Sequence, residues 1–150
     1  NDRATAGIYA LSLHDALPIL NTKTALAAME GGADAIVVSN HGGRVMDTMP
    51  GTAEVLPEIA SAVAGRVKIL VDGGIREGID ILKMLALGAD AVMIGRPICI
   101  AAFGAAQEGV EFYLDQKRSE LKKAMILTGC PDINHIDPSV IVRDSKGQVY

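Results

Sequence analysis

The sequence predicts an α/β chain, about three βα units and a long terminal helix, forming the C-terminal portion of a TIM (β/α)8 barrel. Three observations point there. Strand-like and helix-like stretches alternate from Asn21 onward. One helix-to-strand junction occurs twice, as Gly32-Ala33-Asp34-Ala35 and again as Gly88-Ala89-Asp90-Ala91. Each strand runs directly into a loop rich in glycine and polar residues, and no G-x-G-x-x-G follows any strand, which disfavours an open dinucleotide-binding sheet.

The elements follow in order. Thr22–Glu30 reads as a helix capped by Asn21 or Thr22 and stopped at Gly31-Gly32. Ala35-Ile36-Val37-Val38 is too short for a helix and apolar at every position, which predicts a parallel strand covered on both faces. After the loop Asn40–Gly51, Thr52–Val63 is helical despite Pro57. The cycle repeats with strand Val67–Val71, loop Asp72–Arg76, helix Ile79–Leu87, strand Ala91–Ile94 and loop Gly95–Pro97. A last helix spans about Gly109 to Thr128. Val110, Tyr113, Leu114, Leu121, Ala124 and Met125 share one of its faces, while Lys117, Lys122 and Lys123 lie toward its C-terminal end, where the helix dipole favours cations. A closed barrel takes roughly eight strands and about 250 residues. Three strands in 150 residues therefore lead to the expectation of a partial barrel with little turnover of its own.

Composition narrows the functional classes. Fourteen Lys and Arg against eighteen Asp and Glu give a net charge of −4, a poor footprint for nucleic acid. The apolar stretch Ala91–Ala106 contains Arg96 and Pro97 and does not span a bilayer. The patch Ala6–Leu13 has no basic segment before it, so no secretory signal is expected. Cys99 and Cys130 read as buried free thiols, which fits a cytoplasmic protein. Cys130 and His135 are too few to hold a metal, Met84 and Met93 fit core packing, and Lys122 and Lys123 a solvated helix face.

Barrel chemistry collects at the C-terminal ends of the strands, and the three loops there carry suitable groups. In Ser39-Asn40-His41-Gly42-Gly43-Arg44, a neutral His41 can take a proton near pH 7 and Arg44 offers a planar fork for a carboxylate. In Asp72-Gly73-Gly74-Ile75-Arg76, the Gly73 and Gly74 amides with the following helix N-terminus form an anion cradle reinforced by Arg76, and Asp72 can accept hydrogen bonds from hydroxyls. Gly95-Arg96-Pro97 brings a second arginine, and with Arg76 it converges on one dianion such as a phosphate.

These motifs, with Asp47 and Ile94, closely resemble the FMN-dependent α-hydroxy-acid dehydrogenases and oxidases, the family of lactate oxidase and glycolate oxidase. The resemblance covers roughly Asn21 to Cys130, and the histidine loop is its specific part. It implies FMN as cofactor and a small 2-hydroxy acid as substrate. His41 then corresponds to the base that takes a proton from the 2-hydroxy acid, and Arg44 to the carboxylate clamp. Ser39 corresponds to a flavin contact, and Asp72, Gly73, Gly74, Ile75, Arg76, Gly95 and Arg96 to ribityl and phosphate contacts. Symmetric homo-oligomers are implied as well. The Asp-Gly-Gly-Ile-Arg and Gly-Arg elements also occur in other phosphate-binding barrels, including IMP dehydrogenase and flavin-dependent isopentenyl-diphosphate isomerase. An isomerase of that kind, or an inactive flavin-binding fragment, is the alternative. The family's flavin-contacting lysine would fall near Leu17, and no lysine precedes Lys23. Asn1–Leu20 resembles nothing in the family and is expected to be foreign to it, residues 21–130 form the barrel portion, and residues 131–150 a C-terminal tail.

Overall fold

The computed structural model describes residues 19–142. The patch Ala6–Leu13 and all but the last two residues of the segment read as foreign lie outside the described residues.

Helix α1 (Thr22–Glu30) starts where Asn21, in extended conformation, accepts the Thr24 amide at 2.8 Å through its Oδ1. It ends at Gly32, whose φ of 89° only glycine adopts without strain. There the Gly32 amide donates to Met29 O and the Ala33 amide to Ala28 O. Gly88 (φ 108°) stops helix α3 (Gly78–Ala86) in the same way, with Gly88 donating to Leu85 O and Ala89 to Met84 O. The repeated Gly-Ala-Asp-Ala is thus one left-handed helix stop used twice.

Strands β1 (Ala35–Val38), β2 (Lys68–Val71) and β3 (Ala91–Val92) form a parallel sheet in that order, with Val38 opposite Val71 and Val71 opposite Val92. β2 begins one residue later than the pattern suggests, and β3 is two residues long rather than four. Ile19 bridges in parallel to Val38 on the other side of β1, so the sheet begins before Asn21. Ile36, Val38, Ile69 and Val71 are buried with Leu56, Ile59 and Val63 of helix α2 (Thr52–Val63). Val37 and Leu70, on the opposite face, are only half-buried. The expected two-sided coverage therefore holds for one face, because the helices pack from one side. Pro57 does not end α2, which closes at Ala64 and Gly65, both left-handed.

The last helical run, α4 (Arg96–Thr128), starts well before the expected Gly109. Gly95-Arg96-Pro97 is not a free loop: Gly95 caps the helix and Pro97 sits in its first turn, where a missing N–H costs nothing. Ala105 and Ala106 leave helical geometry, Ala106 at φ 47°, and split the run in two. Gly109 lets the second part pass the first, since a Cβ there would run into the Ala101 carbonyl. The second part packs on α3 through Leu121, Ala124 and Met125, together with Leu82, Cys130 and, from the tail, Ile136 and Val140. Leu114 falls off that face and is exposed. Cys130 is buried as expected, whereas Cys99 is exposed because the helix around it has one side in solvent.

β3 is fixed by its ladder and also by Asp90, whose carboxylate accepts the Ile69 amide at 2.9 Å and the Lys68 ammonium at 2.6 Å. Burial pushes this carboxyl up, but the bonds from Lys68 and Ile69 outweigh it and hold it below the usual carboxylate value. The folded value is the depressed one. Its contribution to stability is therefore full above the ordinary carboxylate range and is lost as pH falls through the depressed value. Lys68 is 72% exposed, so the ion pair is well screened and the amide bond dominates. In urea unfolding, Asp90→Ala is expected to cost about 1–2 kcal/mol and Lys68→Ala less than about 0.5 kcal/mol. Acidification should weaken the parent chain more than Asp90→Ala; equal costs for the two variants would contradict this.

Gly78 is buried where α3 meets α4, and a Cβ there would collide with Leu121 N and Glu120. Gly78→Ala should therefore destabilise the chain by about 1–3 kcal/mol, read as a lower thermal midpoint.

Candidate active site

Parallel pairing puts the ends of all three strands at one edge, and the loops leaving them enclose one cleft of about 530 Å3. Ser39, His41 and Arg44 line it from the first loop, Asp72, Gly73, Gly74, Ile75 and Arg76 from the second, and Gly95 and Arg96 from the third. Every residue given a catalytic, substrate or flavin role from the sequence thus borders the same space, whereas Asp47 and Ile94 of the same motifs do not line it. Met93, read from sequence as core, lines this cleft, while Met84 is in the core. Pro97, Cys99 and Ile100 of α4 also border it. The expected loop Gly95–Pro97 and the expected helix start at Gly109 left Cys99 and Ile100 without an element.

The first loop is held by its own backbone. Ser39 is buried, and its Oγ accepts the His41 amide at 3.0 Å. His41, Gly42 and Gly43 are all left-handed, at φ 56°, 68° and 71°. For the two glycines this is free; for His41 it costs about 1 kcal/mol or more. The turn leaves His41 exposed at the cleft, with Arg44 following and its Nε donating to His41 O at 3.4 Å. The terminal nitrogens of Arg44 have no acceptor among the described residues. Arg96 reaches across to this loop and donates from Nη2 to Gly42 O at 3.3 Å.

The second loop is tied to α2. Thr52, 2% exposed, donates from Oγ1 to Asp72 O at 2.7 Å. Gly73, at φ 95°, passes so close that a Cβ would stand 2.9 Å from Asn40 Oδ1 and 3.1 Å from Thr52 Oγ1. Asp72 Oδ1 and Asn40 Oδ1 are buried acceptors with no donor among the described residues. The amides of Gly73, Gly74 and Ile75 likewise find no acceptor among them. The Ile75 side chain belongs to the core, so only its backbone is available to a ligand.

One expectation fails. The N-terminus of α3 is not an open part of an anion cradle, because carboxylates already occupy it. Asp80 Oδ2 accepts the Arg76 and Glu77 amides, each at 3.0 Å, and Glu120 Oε2 accepts the Gly78 amide at 2.8 Å. An acidic residue three positions into a helix is a readable capping signal; Glu120, from a distant part of the chain, is not. The N-terminus of α4, by contrast, has no side-chain cap. The same contact buries Lys117, read from the sequence as a cation favoured by the helix dipole, against Glu120, while Lys122 and Lys123 are exposed. The hydrogen bond from Lys117, more than any other influence, holds the Glu120 carboxyl below its usual value. Burial pushes the Tyr113 phenol up.

Cys130 and His135 do not meet: Cys130 Sγ accepts from Thr128, and His135 pairs with Asp132 at 2.8 Å. Among the described residues no three His, Cys, Asp or Glu side chains gather as metal ligands, and no helix is long and apolar enough to cross a membrane.

Residues 18–143 match the family of FMN-dependent dehydrogenases. A peroxisomal (S)-2-hydroxyacid oxidase of Arabidopsis thaliana is 48% identical over 118 residues, covering 79% of this chain and 32% of the relative. An L-lactate oxidase of Lactobacillus jensenii is 49% identical over 122 residues, covering 79% of this chain and 30% of the relative. The chain spans about a third of the length of the curated relatives it matches. In a crystal structure of mandelate oxidase with benzoyl-formic acid, 36% of that chain superposes on 81% of this one with a TM-score of 0.78 and 45% identity. A mandelate oxidase variant with a monooxide FMN adduct covers 92% of this chain, and 45% of its own, at a TM-score of 0.81 and 40% identity. A match over this much of the sequence, at this identity and with the same fold, makes the chain a member of the FMN-dependent dehydrogenase family.

Proposed function

We propose that the chain is the C-terminal portion of a (β/α)8 barrel whose activity is the FMN-dependent oxidation of a small 2-hydroxy acid to the 2-keto acid. The observation that carries this reading is the meeting of His41 and Arg44 with the Asp72–Arg76 turn on one cleft. The names of the relatives, oxidases of 2-hydroxy acids, lactate and mandelate, support it.

The cleft suits FMN on its own chemistry. Asp72 Oδ1 is a buried acceptor awaiting a donor, as a ribityl hydroxyl would be. The unpaired amides of Gly73, Gly74 and Ile75, the uncapped start of α4 at Gly95, and the Arg76 and Arg96 guanidinium groups suit a phosphate dianion. Ser39 borders the same space. FMN, when bound, supplies the two-electron acceptor. Arg44 pairs with the substrate carboxylate and so orients the carbon that is oxidised. Oxidation removes two electrons and two protons from the hydroxy acid: His41 takes the hydroxyl proton, and the hydrogen on the oxidised carbon would leave with both electrons to a bound FMN. An isopentenyl-diphosphate isomerase has no carboxylate to clamp, and Arg44 beside His41 argues against that alternative. Homo-oligomers belong to the same reading, supported by the exposed Ile100, Phe103 and Phe112 of α4. The unpaired cysteines fit a reducing compartment such as the cytoplasm.

A chimera tests this, with residues 19–142 replacing the matching part of the Lactobacillus jensenii L-lactate oxidase. It should turn over a 2-hydroxy acid. His41→Ala in it should lower kcat by about 10²–10⁴-fold. Arg44→Lys, which keeps charge but loses the fork, should lower kcat/KM. A chimera that binds FMN and folds yet never reduces it with any 2-hydroxy acid would sink the proposal.

A further inference from the structure

Arg76 borders the cleft, and its backbone is held by α3 and α4. Tyr113, Lys117 and Glu120 lie on one face of α4 at helical spacing. Lys117, 7% exposed, is buried deeper than any other charged side chain among the described residues. Its ammonium lies 2.7 Å from both Glu120 oxygens and 5.2 Å from the centre of the Tyr113 ring. Glu120 Oε2 accepts the Gly78 amide at 2.8 Å, and the Tyr113 hydroxyl donates to Arg76 O at 3.4 Å. The backbone groups on either side of Glu77 are therefore both gripped by α4. Asp80 holds the Arg76 and Glu77 amides from within α3.

A buried ion pair is a poor way to gain stability, since apolar residues of similar size often do as well. It does give direction. With Lys117 bonded to both its oxygens, Glu120 has one orientation left for the Gly78 amide. Lys117 also neutralises a carboxylate whose oxygen lies 2.8 Å from the Gly78 amide, two residues along the chain from Arg76.

We propose that Tyr113, Lys117 and Glu120 are positioning residues for Arg76, setting the affinity of the cleft for the dianionic end of its ligand. This rests on the reading that the cleft takes FMN by its phosphate. FMN and riboflavin differ by that phosphate, so the ratio of their dissociation constants, measured by fluorescence titration of the full chain, isolates it. The parent chain should prefer FMN, and Arg76→Ala should reduce the preference. Glu120→Gln and Lys117→Met should each lower it about tenfold while leaving riboflavin binding as it was. Tyr113→Phe, which removes one hydroxyl and leaves the packing, should act in the same direction by less. Amide exchange at Arg76–Gly78 should quicken in Glu120→Gln, whether or not a flavin is present. If Arg76→Ala reduces the preference but the α4 variants do not, or weaken both flavins alike, or leave amide exchange unchanged, the positioning role is wrong and the phosphate reading stands. If the parent chain shows no preference, or Arg76→Ala leaves it intact, the phosphate reading falls and this inference with it.

Discussion

The cleft depends on the parallel pairing that aligns Val38, Val71 and Val92. Parallel strands leave the sheet at a common edge, so a register set by apolar side chains decides where His41, Asp72 and Gly95 emerge. The ladder continues past the strands, with the Asp72 amide donating to Val38 O and the Met93 amide to Val71 O. The first residue of the second loop is thereby locked to the sheet before the loop begins. A slip of one residue would move Ile36, Val38, Ile69 and Val71 off the helix-covered face and remove Asp72 from the cleft in one step. The apolar core and the polar site are held by the same constraint.

On that frame, groups in the cleft are kept unsatisfied. Asp72 Oδ1 is buried without a donor, the Gly73–Ile75 amides lack acceptors among the described residues, and His41 is held in a left-handed conformation. The buried Asp72 oxygen and the left-handed His41 are costly to hold. Firm neighbours hold them there: Thr52 on Asp72 O, Ser39 on the His41 amide, Arg96 on Gly42 O. Backbone groups so fixed need little reorganisation when a ligand arrives, which is the benefit that offsets the cost.

What could be read from the sequence was local. Helix stops at Gly32 and Gly88 follow from chirality, and strand positions from short β-branched runs between them. The three loops of the cleft were legible because each follows a strand; Cys99 and Ile100, which line it from α4, were not. What was not legible depends on partners far apart in sequence. Glu120 caps a helix 42 residues before it, and the buried Lys117 is paired with it there. The early start of α4 was obscured because Gly-Arg-Pro suits both a loop and a helix N-terminus, and small residues from 98 to 108 show no single apolar face. One-sided burial of the strands is likewise a matter of which neighbours are present, which an all-apolar tetrapeptide does not encode.

Charge distribution joins the fold to its ligands. The chain carries a net charge of −4, yet its cleft is lined by Arg44, Arg76 and Arg96, with Asp72 as the one acid. A locally positive cleft on an acidic chain concentrates field at its opening and repels anions elsewhere on the surface. The arginines are also divided between tasks. Arg44 lies with His41 in the first loop, Arg76 follows the glycine turn of the second, and Arg96 starts α4 while bonding back to Gly42. Arg96 therefore ties the loop bearing His41 to the start of α4, which has no side-chain cap. An anion that engaged Arg96 would compete for its bond to Gly42 O, the carbonyl of the residue next to His41.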